Sequence, residues 1–448
     1  MEFLDKLVLP QSAEHIQLLH YMSMLILFLF IPFISVVFGG TFLSYSFRKK
    51  FNKTGDKTFL RLAKDTVQLL TVNSYVGLIL GIVPVLTLIL IFAQLLHTTT
   101  FPTVSDLTLA FLLISVGLIS VYAYRLSFAL KIIFDDVDTK SSEEFVKEEF
   151  SDYHIKTSKL ANNSVRLGLI FLFLGMWVFI SALTSAIYFN AWKPTSFFET
   201  ILSSKVIVNF LIWLCTSFAF TGVTILFLFL FWKKDELNVT EEYKNFVVSI
   251  SSRYAIYFSL PIPVLLLLNI NLLPDSHLSG NMFAYSVLSI IFLFLALNFA
   301  YLIYYKKQYK YAPYLFFTFI FAVASMVVKD QSTINNATKY HSVVLSTEYD
   351  KILAELKGEG KGETINAAEL YAVRCGACHK FDQKLVGPAH FDVLPKYVGK
   401  EAQLVAFIRN PVKVDPAYPP MPNPGLKPAE AEAVAKYLLE EYARQKGK

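Results

Sequence analysis

Cys375, Cys378 and His379, in the stretch RCGACHK, stand close enough together to act on one group. In a Cys-x-x-Cys-His pattern the two thiols can form thioethers to the vinyl groups of a single haem while the histidine coordinates its iron. A redox dithiol would leave His379 idle and would require a βαβ setting that the surrounding sequence lacks. A zinc site would need two further ligands, and His390 alone does not complete one. The third cysteine, Cys215, lies in an apolar run and reads as core packing.

From about residue 363 to 448 the chain resembles a class I cytochrome c. The stretch INAAELYAVRCGACH supplies a helix leading into the haem motif, and LVGPAH supplies Gly387 and Pro388, where the family has a Gly-Pro steadying the proximal histidine. Met421 follows in the loop YPPMPNPGL, and KPAEAEAVAKYLLEEYA has the periodicity of a final amphipathic helix. The resemblance implies one covalent haem c on Cys375 and Cys378, axial ligands His379 and Met421, and a pocket edged by Gly387 and Pro388. Met421 is the only methionine after the motif. His390 follows His379 too closely to swing to the opposite haem face and is expected at the surface or beside the propionates. Met/His ligation raises the potential relative to a bis-His site, so the domain is expected to transfer electrons from a quinol-level donor without catalysing bond chemistry itself.

The elements that must carry this domain are membrane helices. Of 448 residues, 54% are hydrophobic and 17% charged, with a mean hydropathy of +0.48, which excludes an ordinary soluble protein. At roughly 20 apolar residues per crossing, eight spans are expected, near 18–46, 68–97, 105–132, 164–191, 205–232, 252–273, 282–305 and 312–329. The expected architecture is all-α, with a helical transmembrane domain over 1–330, a polar linker over 331–362 with a short helix near Ser346–Lys357, and a cytochrome c domain over 363–448. Proline in GIVPVLTLIL and SLPIPVLLLL, and Gly-containing runs in the first and fifth spans, suggest a four-plus-four duplication; chance likeness between apolar helices is the alternative. The first apolar run is too long for a signal peptide and lacks a basic leader, so no cleavage is expected.

Lysine and arginine in RKKFNKTGDKTFLRLAK, in 134–160, in KKDELNVTEEYK and in KKQYK all fall on one side, which should be cytoplasmic. Both termini then face the periplasm across a bacterial inner membrane, where covalent haem attachment also belongs. The net charge of +6 reflects that anchoring, and nucleic acid is not an expected partner.

One span would tether a cytochrome, so the other seven call for an explanation. His20 and His97 fall at similar depth near the outer side and are candidate ligands of a haem b or the edge of a quinol site, with Glu14, His15, Gln17 and Gln94 adding polar character. The alternative is that both histidines are ordinary interfacial residues. No helix carries the histidine pair of a quinol:cytochrome c reductase cytochrome b, so at most one haem b is expected. The first-span histidine resembles that of the quinol-oxidising subunit of cytochrome bd oxidases, but that family's Gly-Arg-Gln-Pro-Trp loop is missing. The expected function is electron transfer from the quinol pool or a partner complex through haem c to a periplasmic acceptor or terminal oxidase, amid lipid and other respiratory-complex subunits. The rival readings are a docking scaffold whose only redox centre is haem c, and a transporter with a redox-sensing cytochrome. Against the transporter stands the absence of paired charges at mid-membrane, although Pro84, Pro261 and Pro263 could break helices.

Overall fold

The computed structural model describes residues 10–71, 73–97, 99, 102–136, 144–189, 196–234, 239–357 and 366–446. The start of the expected cytochrome domain at 363–365 and the end of the expected linker at 358–362 lie outside the described residues. Every long element described is a helix. In chain order these are α1 (Ala13–Thr54), α2 (Lys57–Leu70), α3 (Ser74–Leu95), α4 (Thr103–Asp136), α5 (Glu144–Ile187), α6 (Ser204–Trp232), α7 (Glu241–Asn271), α8 (Gly280–Tyr304) and α9 (Ala312–Leu356). Three shorter helices follow: α10 (Ala367–Arg374), α11 (Glu401–Arg409) and α12 (Pro428–Lys446). All but α2 among the first nine are long and apolar enough to cross a membrane, which makes this a multi-pass membrane protein.

The helices outrun the expected spans in several places, the fourth span for example starting already at Glu144 within the charged 134–160 stretch, and two departures matter most. The basic stretch after the first span, expected as a loop, is the helix α2. Its Phe59, Leu62, Ala63, Thr66, Val67 and Leu70 recur at helical spacing and are buried, while Lys57, Arg61 and Lys64 lie on the other side, the pattern of a helix lying in an interface. Asp56 caps it by accepting from the Thr58 amide at 2.8 Å. Further on, the expected connector with a short helix near 346–357 is instead the second half of α9, which runs unbroken to Leu356. Its residues are polar, but none before Gly358 is glycine or proline, and Ile334, Thr338 and Leu345 keep a buried stripe at helical spacing.

Two compact units result. One comprises 20–93 and 99–337; the other gathers 1–19, 94–98 and 338–448. In the first, α4 and α5 pack along much of their length. A Cβ on Gly117 would lie 2.8 Å from Leu172, and one on Gly175 would lie 2.8 Å from Ile114, so the two backbones approach as only glycine permits. The α6 helix is the most enclosed of the eight, with 72% of its apolar window buried. Its residues therefore face other helices on nearly every side, and polar ones among them must find partners or a ligand. In α7, Pro261 opens a new helical segment directly after Leu260, as expected of a residue that cannot donate to the preceding turn.

In the other unit α12 packs against both α10 and α11. Tyr371, Cys375, Leu404, Ile408, Val434 and Leu438 are buried together in its core.

Candidate functional site

Asn366 starts α10 by a reciprocal cap. Its side-chain oxygen accepts from the Glu369 amide at 3.3 Å, and its Nδ2 donates to Glu369 Oε2 at 3.2 Å. At the far end the amides of Cys375 and Gly376 both donate to the Tyr371 carbonyl, at 2.8 and 2.9 Å, and those of Cys378 and His379 donate to the Cys375 carbonyl at 3.0 Å. The motif is thus wound into a tight turn that brings its two thiols and the imidazole into one short arc. Cys375 is buried and Cys378 half-buried. Burial, with Cys378 beside it, pushes the Cys375 thiol above its ordinary pKa.

Gly387 and Pro388 close on this turn from nine residues downstream. The Gly387 amide donates to the Cys378 carbonyl at 3.0 Å, and His379 Nδ1 donates to the Pro388 carbonyl at 3.1 Å. That bond sets the proton on Nδ1 and leaves Nε2 with its lone pair for a metal. A Cβ on Gly387 would lie 2.2 Å from His379 Cε1, so no other residue fits under the ring. The Tyr371 hydroxyl donates to the His379 carbonyl at 3.1 Å, and burial pushes its phenol up to about 12.

His379 faces a cavity of about 410 Å³, within the range of cofactor pockets. Cys375 and Pro388 line it on the motif side, Leu394, Phe407 and Ile408 form apolar walls, and Met421 comes from the loop after α11. A thiol, an imidazole with an open Nε2 and a thioether around one apolar space are a donor set that fits a covalently held haem.

His390, expected at the surface or beside the propionates, is buried and lines the same cavity as His379. Its ring lies parallel to that of His379 with centroids 5.1 Å apart and packs against Tyr371 and Phe381. Burial, then the nearby His379, pushes its imidazole down to about 4, so it is neutral near neutrality. The amides of His390 and Phe391 donate to the carbonyls of Lys380 and Phe381, and this pairing draws the ring inward.

The domain is also pinned to the second half of α9. Arg409, at the end of α11, donates to Asp350 Oδ2 and Thr347 Oγ1, each at 2.6 Å, and Lys351 pairs with Glu432 at 2.5 Å. The helix from which the Met421 loop departs is thereby held at its end.

Such a fold and site define a class I cytochrome c, and through this domain the chain belongs to that family. Over 76 residues it is 40% identical to cytochrome c-551 of Pseudomonas denitrificans, covering 92% of that protein and 16% of this chain. Over 68 residues it is 40% identical to cytochrome c-551 of Pseudomonas aeruginosa, covering 65% of that protein and 14% of this chain. No family model matches the chain. The protein is an electron-transfer haem c protein carried on a multi-pass membrane unit.

Among the residues expected to form a redox site near the outer surface, His20 is buried, with Nδ1 2.9 Å from Gln331 Nε2 and Nε2 without a partner among the described residues. His15 donates from Nε2 to Gln94 Oε1 at 2.8 Å, and His341 Nε2 donates to the His97 carbonyl at 3.0 Å. His341 lies in the stretch expected as a polar linker, and the length of α9 is what brings it to His97.

Sequence reading missed one cluster altogether. Lys329, which reads as the end of the last span, is 2% exposed, and its Nζ lies 2.6 Å from Asn269 Oδ1 and 2.6 Å from Asp330 Oδ1. Asn269 Nδ2 donates to Asn209 Oδ1 at 2.7 Å, and Asn209 Nδ2 donates to Thr184 Oγ1 at 3.0 Å. Lys329 and Asp330 thus form an enclosed ion pair at the end of the last expected span, away from the mid-membrane positions where the sequence offers no paired charges. Neighbours in sequence at a span end look like an interfacial pair, and only the packing of α5, α6 and α7 around α9 encloses the ammonium. The usable signal was the set of lone polar residues, Thr184, Asn209 and Asn269, each near the expected outer end of its span.

Proposed function

We propose that the chain is a membrane-bound cytochrome that takes electrons from the quinol pool, or from a partner complex, and passes them through haem c to an acceptor on the periplasmic side of a bacterial inner membrane. Cys375 and Cys378 attach the haem, His379 and Met421 ligate its iron, and Gly387 with Pro388 supports the proximal imidazole. When bound, the haem supplies a one-electron couple. The protein's own groups fix the ligand ring through the Pro388 carbonyl, keep water from the pocket with Leu394, Phe407 and Ile408, and set the affinity for the electron through the thioether.

The observation that carries this reading is the single cavity reached by Cys375, His379 with its Nδ1 held by Pro388, and Met421. His20 is the membrane unit's candidate for a haem b, because its buried Nε2 meets no other partner among the described residues. A pyridine haemochrome spectrum of the purified protein, with acid-acetone extraction to separate covalent from free haem, tests both parts. One covalent haem c is expected, and a haem-free preparation from a host competent in cytochrome c maturation would refute the reading. A non-covalent haem b that disappears in a His20→Ala variant would place a second centre in the membrane unit; its absence would leave haem c as the only one.

A further inference from the structure

The polar cluster at Lys329 borders a second cavity, of about 110 Å³, enclosed by α1, α5, α6, α7 and α9. Its walls are largely apolar, Ile31, Leu183, Ile212, Leu266 and Val323 among them. Two hydrogen-bonding groups on α6 line it without partners among the described residues: the indole Nε1 of Trp213, 4% exposed, and the hydroxyl of Thr216, 3% exposed. An indole N–H can only donate, and leaving such a group buried and unpaired costs about 1–3 kcal/mol. The Lys329 ammonium has three protons, and Asn269 and Asp330 account for two. Asn209, Trp213 and Thr216 follow at i, i+4 and i+7, so the α6 donors form one stripe about 10 Å long down the side of the cavity.

We propose that this cavity binds the head group of a membrane quinone of the single-ring, benzoquinone type. Flat apolar faces suit the aliphatic walls, and a carbonyl at each edge of the ring gives acceptors to the donors at the two ends of the stripe: Lys329 and Asn209 at one, Trp213 and Thr216 at the other. At about 110 Å³ the cavity is smaller than the roughly 150 Å³ one that holds a benzene ring, so it has room for one ring at most and none for a fused pair. Asp330, with its side chain 39% exposed, lines the same cavity. The inference rests on the reading that electrons come from quinol, and it moves the binding site from His20 and His97 to Lys329.

The test is equilibrium titration of the full-length, haem-loaded protein in detergent with a ubiquinone carrying a single isoprenoid unit. One saturable site is expected. Trp213→Phe, which keeps an aromatic ring and removes the N–H, and Thr216→Val should each weaken binding about tenfold, Thr216→Ser should restore it, and Lys329→Met should abolish it. Absence of saturable binding to the wild type, as for a cavity holding only solvent, would overturn the proposal, as would wild-type affinity in both the Trp213 and Thr216 variants. The haem c spectrum of each sample reports folding and separates the two readings. Intact haem c with no quinone binding removes the site and leaves a partner complex as the donor, whereas quinone binding in a protein that lacks haem c keeps the site and removes the electron-transfer reading.

Discussion

In the cytochrome domain His379 meets Pro388 across nine residues of chain, whereas in the membrane unit Lys329 meets Asn269 across sixty and Asn269 meets Asn209 across sixty more. The first site is wound locally. A helix end, a tight turn and a Gly-Pro return place its groups before much of the remaining core is involved. The second depends on four separate helices arriving at one depth, and none of its members has chemistry without the others. A local site can tolerate change in the helices around it, provided the turn survives. A convergent one should feel any change in packing, and its polar members should be coupled, because a buried polar chain leaves a group unsatisfied when any link is removed.

The largest effect that can separate the two regions is at the motif. Replacing both Cys375 and Cys378 with alanine should abolish covalent haem, read as loss of the haemochrome, while the membrane unit still runs at its normal size on gel filtration. If the whole protein aggregates instead, the sites are less independent than their construction suggests. Met421→Ala should leave the haem attached and lower its midpoint potential by about 0.1–0.3 V, a fraction of the roughly 0.8 V that axial ligands span; redox titration measures it, and an unchanged potential would remove Met421 from the ligand set. In the membrane unit Asn269→Leu takes away a partner of both Lys329 and Asn209 and should cost about 1–3 kcal/mol. Thermal unfolding followed by far-ultraviolet circular dichroism would show it, with the haem potential unmoved.

Smaller effects sharpen the same contrast. Gly387→Ala forces a methyl against the His379 ring and should cost about 1–3 kcal/mol by overpacking, seen as reduced haem incorporation and a lower melting temperature of the cytochrome domain alone. Arg409→Gln breaks a half-buried pair with Asp350 and a bond to Thr347, and should destabilise that unit by about 1 kcal/mol. Hydrogen exchange in the second half of α9 should rise in this variant, and high salt should mimic it in the wild type, since a partly exposed ion pair is screened.

How far each region could be read from the chain follows from the same difference. Cys375, Cys378, His379, Gly387 and Met421 are ordered as in a known family, and the structure places Cys375, His379 and Met421 around one cavity, with Gly387 against the histidine ring. The eight apolar runs were visible because crossing a membrane imposes a length and a composition. The basic stretch of α2 looked like a loop because its charges dominate a linear reading, while the stripe from Phe59 to Leu70 shows itself only at helical period. The second half of α9 looked like a connector because it is polar, although it contains nothing that breaks a helix. For His390 only the surface alternative fails, since backbone bonds to Lys380 and Phe381 turn the ring inward to the cavity wall.

By itself, then, the sequence determined the helical architecture, the number of crossings and the haem motif, because each rests on contacts between near neighbours or on transfer from water to lipid, which residue type and spacing already specify. The tertiary structure decided which polar residues are enclosed: Lys329 with Asn269, Asn209 and Thr184, the Trp213 indole left facing a cavity, and Arg409 locked to α9. Burial is a property of what surrounds a side chain, and in the membrane unit what surrounds Lys329 comes from helices tens of residues away.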